Sequence, residues 1–347
     1  MIKTDSRLRI RRLTAWILSV IIAAGVFVWP VPAAGEEEWL VGSPYKRVIF
    51  IGVDGAGTYF REMDTPNFDK IFAEGKITWE AKAPVPTNSA PGWCSMFYGV
   101  SFAVHGVDNP KAETTPFEND TLKSVFRQVL EQYPGERVGV FASWHAIPYG
   151  MIDRKAGPGS GDESWKKQLK KDPDAYDSGW PGLTVFPMGT RDPGPDEVLK
   201  ETQAWLKTGE DFRLLFFYLD LPDLAGHKYG FSTPPYLNAI KKTDKYLGQL
   251  WNTLEKKGLT EDALVILATD HGGTLEGTHG GDSDEETTCM FAVRGPGITP
   301  GTPIGPTVIM DAAAVIRYAL GLPTPEYNEA LIPEGIFDDL PEGEAEG

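Results

Sequence analysis

Five stretches of the chain are almost purely apolar over six to eight residues: 47–53 (RVIFIGV), 137–143 (RVGVFAS), 212–219 (FRLLFFYL), 263–268 (ALVILA) and 288–293 (TCMFAV). Runs this short, apolar at odd and even positions alike, predict strands covered on both faces, as in a parallel sheet. Between them, segments 67–74, 120–132, 196–208, 236–257 and 311–320 show helical patterning. Thr65-Pro66 and Asp120 offer helix starts, and Gly258 and Gly321 offer stops. Strands alternating with helices predict an α/β sandwich around a mostly parallel sheet, with no internal repeat in view.

Three stretches stand outside this alternation. Segment 144–191 is rich in Gly, Pro, Lys and Asp and carries Trp144, Tyr149, Trp165, Tyr176 and Trp180. A loop this long is uncommon unless functional, so a small cap over the site is expected there, with a surface excursion as the alternative. Residues 1–34 combine a basic start (Lys3, Arg7, Arg9, Arg11, Arg12), an apolar run from Ala15 to Trp29 and the small-residue sequence Val31-Pro32-Ala33-Ala34. That is the layout of a cleaved signal peptide, with an uncleaved anchor as the alternative; secretion or a periplasmic location follows. No later segment is long and apolar enough to span a bilayer. The catalytic body is therefore expected over 45–337, followed by an acidic, frayed tail over 338–347.

Charge narrows the partners. The whole chain carries −16; without residues 1–34, 28 basic residues face 48 acidic ones, a net −20. Such a surface repels nucleic-acid backbones and anionic membranes, so a small substrate is expected rather than a DNA or RNA polymer. An anionic substrate would need local compensation, which bound divalent cations supply. Cys94 and Cys289 either pair in an oxidising compartment or remain two buried thiols.

The candidate chemistry lies where the predicted strands end. Of five histidines in 347 residues, three fall in a 53-residue window: Asp223-Leu-Ala-Gly-His227, Asp270-His271-Gly-Gly and His279-Gly-Gly. Imidazole with carboxylate is a common ligand set for zinc-like cations, and glycine lets backbone crowd an ion. One helical turn would bring Asp223 and His227 to the same side, with His279 as third ligand and one coordination position left open. The alternative is a turn-capping Asp223 and a surface His227. Asp54, Asp270 and His271 would form a second set. Ser89, in Pro86-Thr87-Asn88-Ser89, precedes a short predicted helix and is either a metal-activated nucleophile or a plain N-cap. The other two histidines, His105 and His145, are read as a structural residue beside a helix end and a satisfied loop residue.

Taken together, VDG at Asp54, TPNFDKIFAEG at 65–75, PTNSAPGW at 86–93, HG at 105–106, PDLAGH at 222–227, ATDHGG at 268–273, THGG at 278–281 and the DAAAVIRYALGLP ending form an ordered series. The chain resembles the alkaline phosphatase superfamily, and within it the type I phosphodiesterase/nucleotide pyrophosphatase branch, from about Arg47 to Pro323. The resemblance implies an alkaline-phosphatase-like three-layer sandwich and two divalent ions, usually zinc, about 4 Å apart. By similarity, Asp223, His227 and His279 hold one ion. Asp54, Asp270 and His271 hold the other, with Ser89 (not Thr87) as the bound nucleophile that becomes phosphorylated. Two departures stand out. Gly92-Trp93 occupy the place where the branch commonly carries a phosphate-holding Asn, for which Asn109 is a substitute. A non-catalytic metal-binding relative is the reading that this departure supports. The sulfatase pattern also fails: no Arg follows Ser89-Ala-Pro91-Gly-Trp93, and Asp270-His271 stand in place of Asp-Asn. Phosphoric esters are therefore expected over sulfate esters.

Overall fold

The computed structural model describes residues 44–119, 121–153, 180–209 and 211–338. Seven strands form one sheet: β1 (Arg47–Val53), β2 (Gly75–Lys82), β3 (Val138–Ala142), β4 (Leu183–Phe186), β5 (Leu214–Leu219), β6 (Ala263–Thr269) and β7 (Thr288–Arg294), in the order β2-β7-β6-β1-β5-β3-β4. Every pairing from β6 through β1, β5 and β3 to β4 is parallel; β7 runs against both β6 and β2.

The continuous apolar runs are explained by cover on both faces. In β1, Val48 and Phe50 enter one core while Ile49, Ile51 and Val53 enter the other. The first core is closed by α2 (Ser89–Tyr98), α3 (Val125–Gln132) and α7 (Ala312–Leu320). The second is closed by α1 (Pro66–Phe72), α4 (Pro195–Lys207) and α6 (Pro234–Lys256). The result is the expected three-layer sandwich. Another helix, α5 (Leu221–Tyr229), follows β5 directly. Among the described residues no helix is long and apolar enough to cross a membrane.

Four expectations need correction. Strand β2 was not anticipated: its middle, Thr78-Trp79-Glu80, is half-exposed or exposed at the sheet edge, so no apolar run marks it. The helix expected over 120–132 begins at Val125, where the Ser124 hydroxyl accepts the Arg127 N–H. The described ends of segment 144–191 belong to the body rather than to a cap: residues 147–151 are buried, and β4 extends the sheet beside β3. Residues 154–179 between them lie outside the described residues. Finally, Asp338 is anchored, not frayed: it accepts from Thr299 and pairs at 2.7 Å with the buried Lys76, which holds its carboxyl down at about 2. The remainder of the tail, and residues 1–43, lie outside the described residues. Cys94 and Cys289 are both free and buried.

Candidate active site

Parallel register places the acidic residues. Val53 pairs with Leu219 on one side and with Thr269 on the other. The next residue of each strand is an aspartate, so Asp54, Asp220 and Asp270 emerge side by side at the carboxyl edge of the sheet. Crevices outside these strand ends are where open α/β sheets hold ligands.

One half of the site is closed. Asp54, Asp270 and His271 are all 1% exposed or less. Ser89 is the first residue of α2, with Asn88 as N-cap, and the Asn88 side chain makes no capping bond. Its hydroxyl is directed elsewhere, 3.2 Å from Asp54 Oδ1 and 3.1 Å from His271 Nε2. The N-cap reading of Ser89 is thereby replaced. Asp54 is held from behind, its Oδ2 accepting Trp93 Nε1 at 2.8 Å and the Tyr218 hydroxyl at 2.5 Å. Trp93 reaches this position across Gly52: a Cβ there would stand 2.7 Å from the indole ring. Asp270 spends Oδ1 on the Gly55 N–H. Asn109 accepts the Ala90 N–H at 2.9 Å, which brings its amide beside the nucleophile.

The other half is more open. Asp223 and His227 lie one turn apart on α5, as the spacing predicts, and their Oδ2 and Nε2 atoms are 3.4 Å apart. His227 keeps 48% of its side chain exposed, whereas His279 keeps 5%. His279 comes from the glycine-rich loop, its Nε2 lying 3.0 Å from His227 Nε2 and 3.6 Å from Asp223 Oδ1. Its ring stacks on that of His271, centroids 3.8 Å apart. His271 thus sits between the halves: Asp54, Asp270 and His271 form one group of converging ligand atoms, and Asp223, His271 and His279 form another.

The donor set tests for a cation. Carbonyl oxygens only accept, and the Nδ1 atoms of His227, His271 and His279 lie 2.8–2.9 Å from the carbonyls of Gly277, Gly272 and Thr87. Each Nδ1 therefore carries hydrogen, and in the neutral ring each Nε2 is a lone pair turned toward the carboxylates. Buried Asp223 Oδ1 and Asp270 Oδ2 have no hydrogen-bond partner. Unpaired buried carboxylate oxygens facing imidazole lone pairs are costly without positive charge between them. The residues fit divalent cations.

Titration follows the same demand for positive charge. Burial, and the charge of Asp54, raise Asp223 to about 6 and Asp270 well above the usual carboxylate range. Burial acts on Asp54 too, but His271, Tyr218 and Trp93 outweigh it and hold that group at about 2. Burial disfavours the His271 cation, yet Asp270 and Asp54 lift it to about 10. Burial and the charge of His271 push His279 down to about 4.

The model of the type I phosphodiesterase/nucleotide pyrophosphatase family matches residues 48–277, about two thirds of the chain. The chain belongs to that family. Human GPI ethanolamine phosphate transferase 3, catalytic subunit, is 32% identical over 183 residues, covering 51% of this chain and 16% of that protein. Human ectonucleotide pyrophosphatase/phosphodiesterase family member 1 is 27% identical over 210 residues, covering 60% of this chain and 21% of that protein. The chain thus matches about a fifth or less of each of these two relatives. The solved human ectonucleotide pyrophosphatase/phosphodiesterase 5 superposes with a TM-score of 0.61 at 14% identity, covering 81% of this chain and 96% of that one, which establishes the shared fold.

All seven residues singled out in this phosphodiesterase-family chain (Asp54, Ser89, Asp223, His227, Asp270, His271 and His279) meet at one edge of the sheet. Neither of the other two histidines joins them. His105 is buried against Ser95, and His145 bonds to Asp192. Trp93, Tyr218 and Thr87 were not foreseen as part of the site. Tyr218 left one trace, a hydroxyl inside an otherwise apolar strand.

Proposed function

We propose that this chain is a secreted or periplasmic hydrolase of phosphoric esters, dependent on two divalent ions, with zinc the expected metal, and acting through a phosphoryl-Ser89 intermediate. The observation that carries the reading is the pair of converging ligand groups, Asp54-Asp270-His271 and Asp223-His271-His279, with the buried Ser89 hydroxyl 3.1 Å from Nε2 of the His271 they share. Asp223, His227 and His279 would hold one ion and Asp54, Asp270 and His271 the other, with His271 adjoining both. When bound, such ions lower the pKa of a coordinated hydroxyl and neutralise charge on the transferring phosphoryl group.

The chain's own residues orient the reaction. Asp54, fixed by Trp93 and Tyr218, accepts the hydrogen of Ser89 and aims the Oγ lone pair outward. Ser89 gives up its hydroxyl proton to solvent as Oγ forms the new bond to phosphorus; the bond from phosphorus to the ester oxygen breaks, and that oxygen takes a proton from solvent. The N-terminal end of the 10-residue α2 favours the negative charge that accumulates there. Asn109, bonded to Ala90, stands where a phosphate oxygen would be held. Water then cleaves phosphoryl-Ser89 and restores the hydroxyl. Secretion rests on the basic–apolar–small pattern of residues 1–34, which lie outside the described residues.

A panel of aryl phosphomonoester, phosphodiester and sulfate ester tests the reading. Ser89→Ala should lower turnover of the best phosphoric ester by at least about a thousandfold, as loss of an activated nucleophile does. Chelation should abolish turnover, and added zinc should restore it. Unchanged rates after either treatment would overturn the mechanism, and a preference for the sulfate ester would overturn the substrate class.

A further inference from the structure

Thr87 lies two residues before Ser89, is 1% exposed, and makes three directed contacts with the loop that carries His279. Its hydroxyl donates to the Gly281 carbonyl at 2.8 Å and accepts the Gly280 N–H at 3.0 Å. Its own carbonyl accepts His279 Nδ1–H at 2.8 Å. Three consecutive residues, His279 to Gly281, are thus held by one threonine. A hydroxyl is the only neutral group of this size that donates and accepts at once, as this position requires. The fit is tight on the neighbouring residue as well. Gly280 adopts φ +115°, a conformation for glycine, and a Cβ there would stand 2.9 Å from Asn88 Oδ1. The nucleophile loop (87–89) and the ligand loop (279–281) therefore interlock side chain to backbone.

We propose that Thr87 is a positioning residue: it locks the His279 loop to the Ser89 loop, so that His279 is pre-set as a ligand and the more open half of the site is tied to the nucleophile. The inference rests on His279 being a metal ligand, as argued above. Outer-shell groups that support a ligand commonly alter metal affinity by about 10–100-fold when removed; loss of the hydroxyl removes the bonds to Gly280 and Gly281 and leaves the carbonyl bond to His279.

The test is a zinc titration of the full chain, stripped by chelator, with calorimetric readout. Wild type should bind two equivalents. Thr87→Val, which keeps the shape and loses the hydroxyl, should bind one equivalent at least tenfold more weakly and the other as in wild type. Thr87→Ser should stay within threefold of wild type for both. Gly280→Ala, which displaces the same loop while leaving the hydroxyl in place, should weaken the same equivalent as Thr87→Val. It keeps the question open to measurement if the valine variant does not fold. Wild-type affinities for both equivalents in Thr87→Val, or a serine variant as weak as the valine one, would overturn the positioning role. Absence of zinc binding by wild type would instead overturn the metal reading itself.

Discussion

The two halves of the site are built from different materials. Asp54 and Asp270 are the residues that follow paired strands, so sheet register alone sets them level and burial is complete. Asp223 and His227 ride on a helix of nine residues, and His279 sits on a loop held by Thr87. The first half gains its precision mainly from sheet pairing that exists for other reasons, with Trp93, Tyr218 and Gly55 fixing the carboxylates. The second half gains it from a few contacts made for the purpose. The difference teaches where each half is vulnerable: the first to loss of a ligand, the second to loosening of its supports.

The largest effect should come from the closed half. Asp54→Asn removes a charge that faces Ser89, His271, Trp93 and Tyr218 together, and should cut turnover at least about a thousandfold while abolishing one zinc equivalent in a binding titration. Retention of both equivalents would erase the proposed division. His227→Ala should do less. With nearly half its side chain in solvent, its loss should weaken one zinc equivalent by at least about 100-fold, the upper end of what loss of an outer-shell support costs, and leave turnover recoverable at high zinc. Should the two variants behave alike, the halves are not energetically distinct.

Chelation kinetics sharpen the same contrast without mutation. Release of zinc to a chromogenic chelator should be biphasic, a fast equivalent from the His227 side preceding a slow one from the buried side. Single-phase release of both would mean that the two ions are held as one unit.

The smallest effect lies outside both halves and serves as a control. Burial raises the Asp153 carboxyl to about 6, against the pull of Ser124 and Arg127. An acid whose folded pKa exceeds its unfolded one holds a proton in the native state that the unfolded chain has released. Its contribution is therefore present at low pH and is lost as pH rises from about 4 through about 6. The rise from about 4 to about 6 corresponds to at most about 3 kcal/mol. Asp153→Asn should flatten the pH dependence of the urea midpoint across that window and leave zinc binding unchanged. An unaltered slope would show that Asp153 does not titrate there.

The fold was largely legible because β1, β5 and β6 are covered on both faces, and a sequence marks such strands plainly. Strand β2 escaped because edge residues such as Trp79 and Glu80 meet solvent and break the run. Strand β4 escaped because Leu183–Phe186 is only four residues long and embedded in a polar, glycine-rich stretch. At the site, residue types bearing metal chemistry were visible one by one, since Asp and His beside glycine are informative wherever they fall. Their supports were not. That Trp93 and Tyr218 converge on Asp54, or that Thr87 grips a loop nearly two hundred residues downstream, depends on contacts that no local pattern encodes. The placement of His271 between the two halves likewise emerged only from the geometry.

The register of β1 also has a bearing on time. Val53 is flanked by Leu219 and Thr269, which lie 166 and 216 positions later in the chain. Asp54 is made early and must wait for its neighbours, because pairings of such long range form only after the intervening chain is available. A nascent chain that has not yet delivered Asp270 and His271 has no pocket in which to retain an ion. On the proposed metal reading, ion uptake would be a late event in the life of the molecule, following the order in which the strands are delivered.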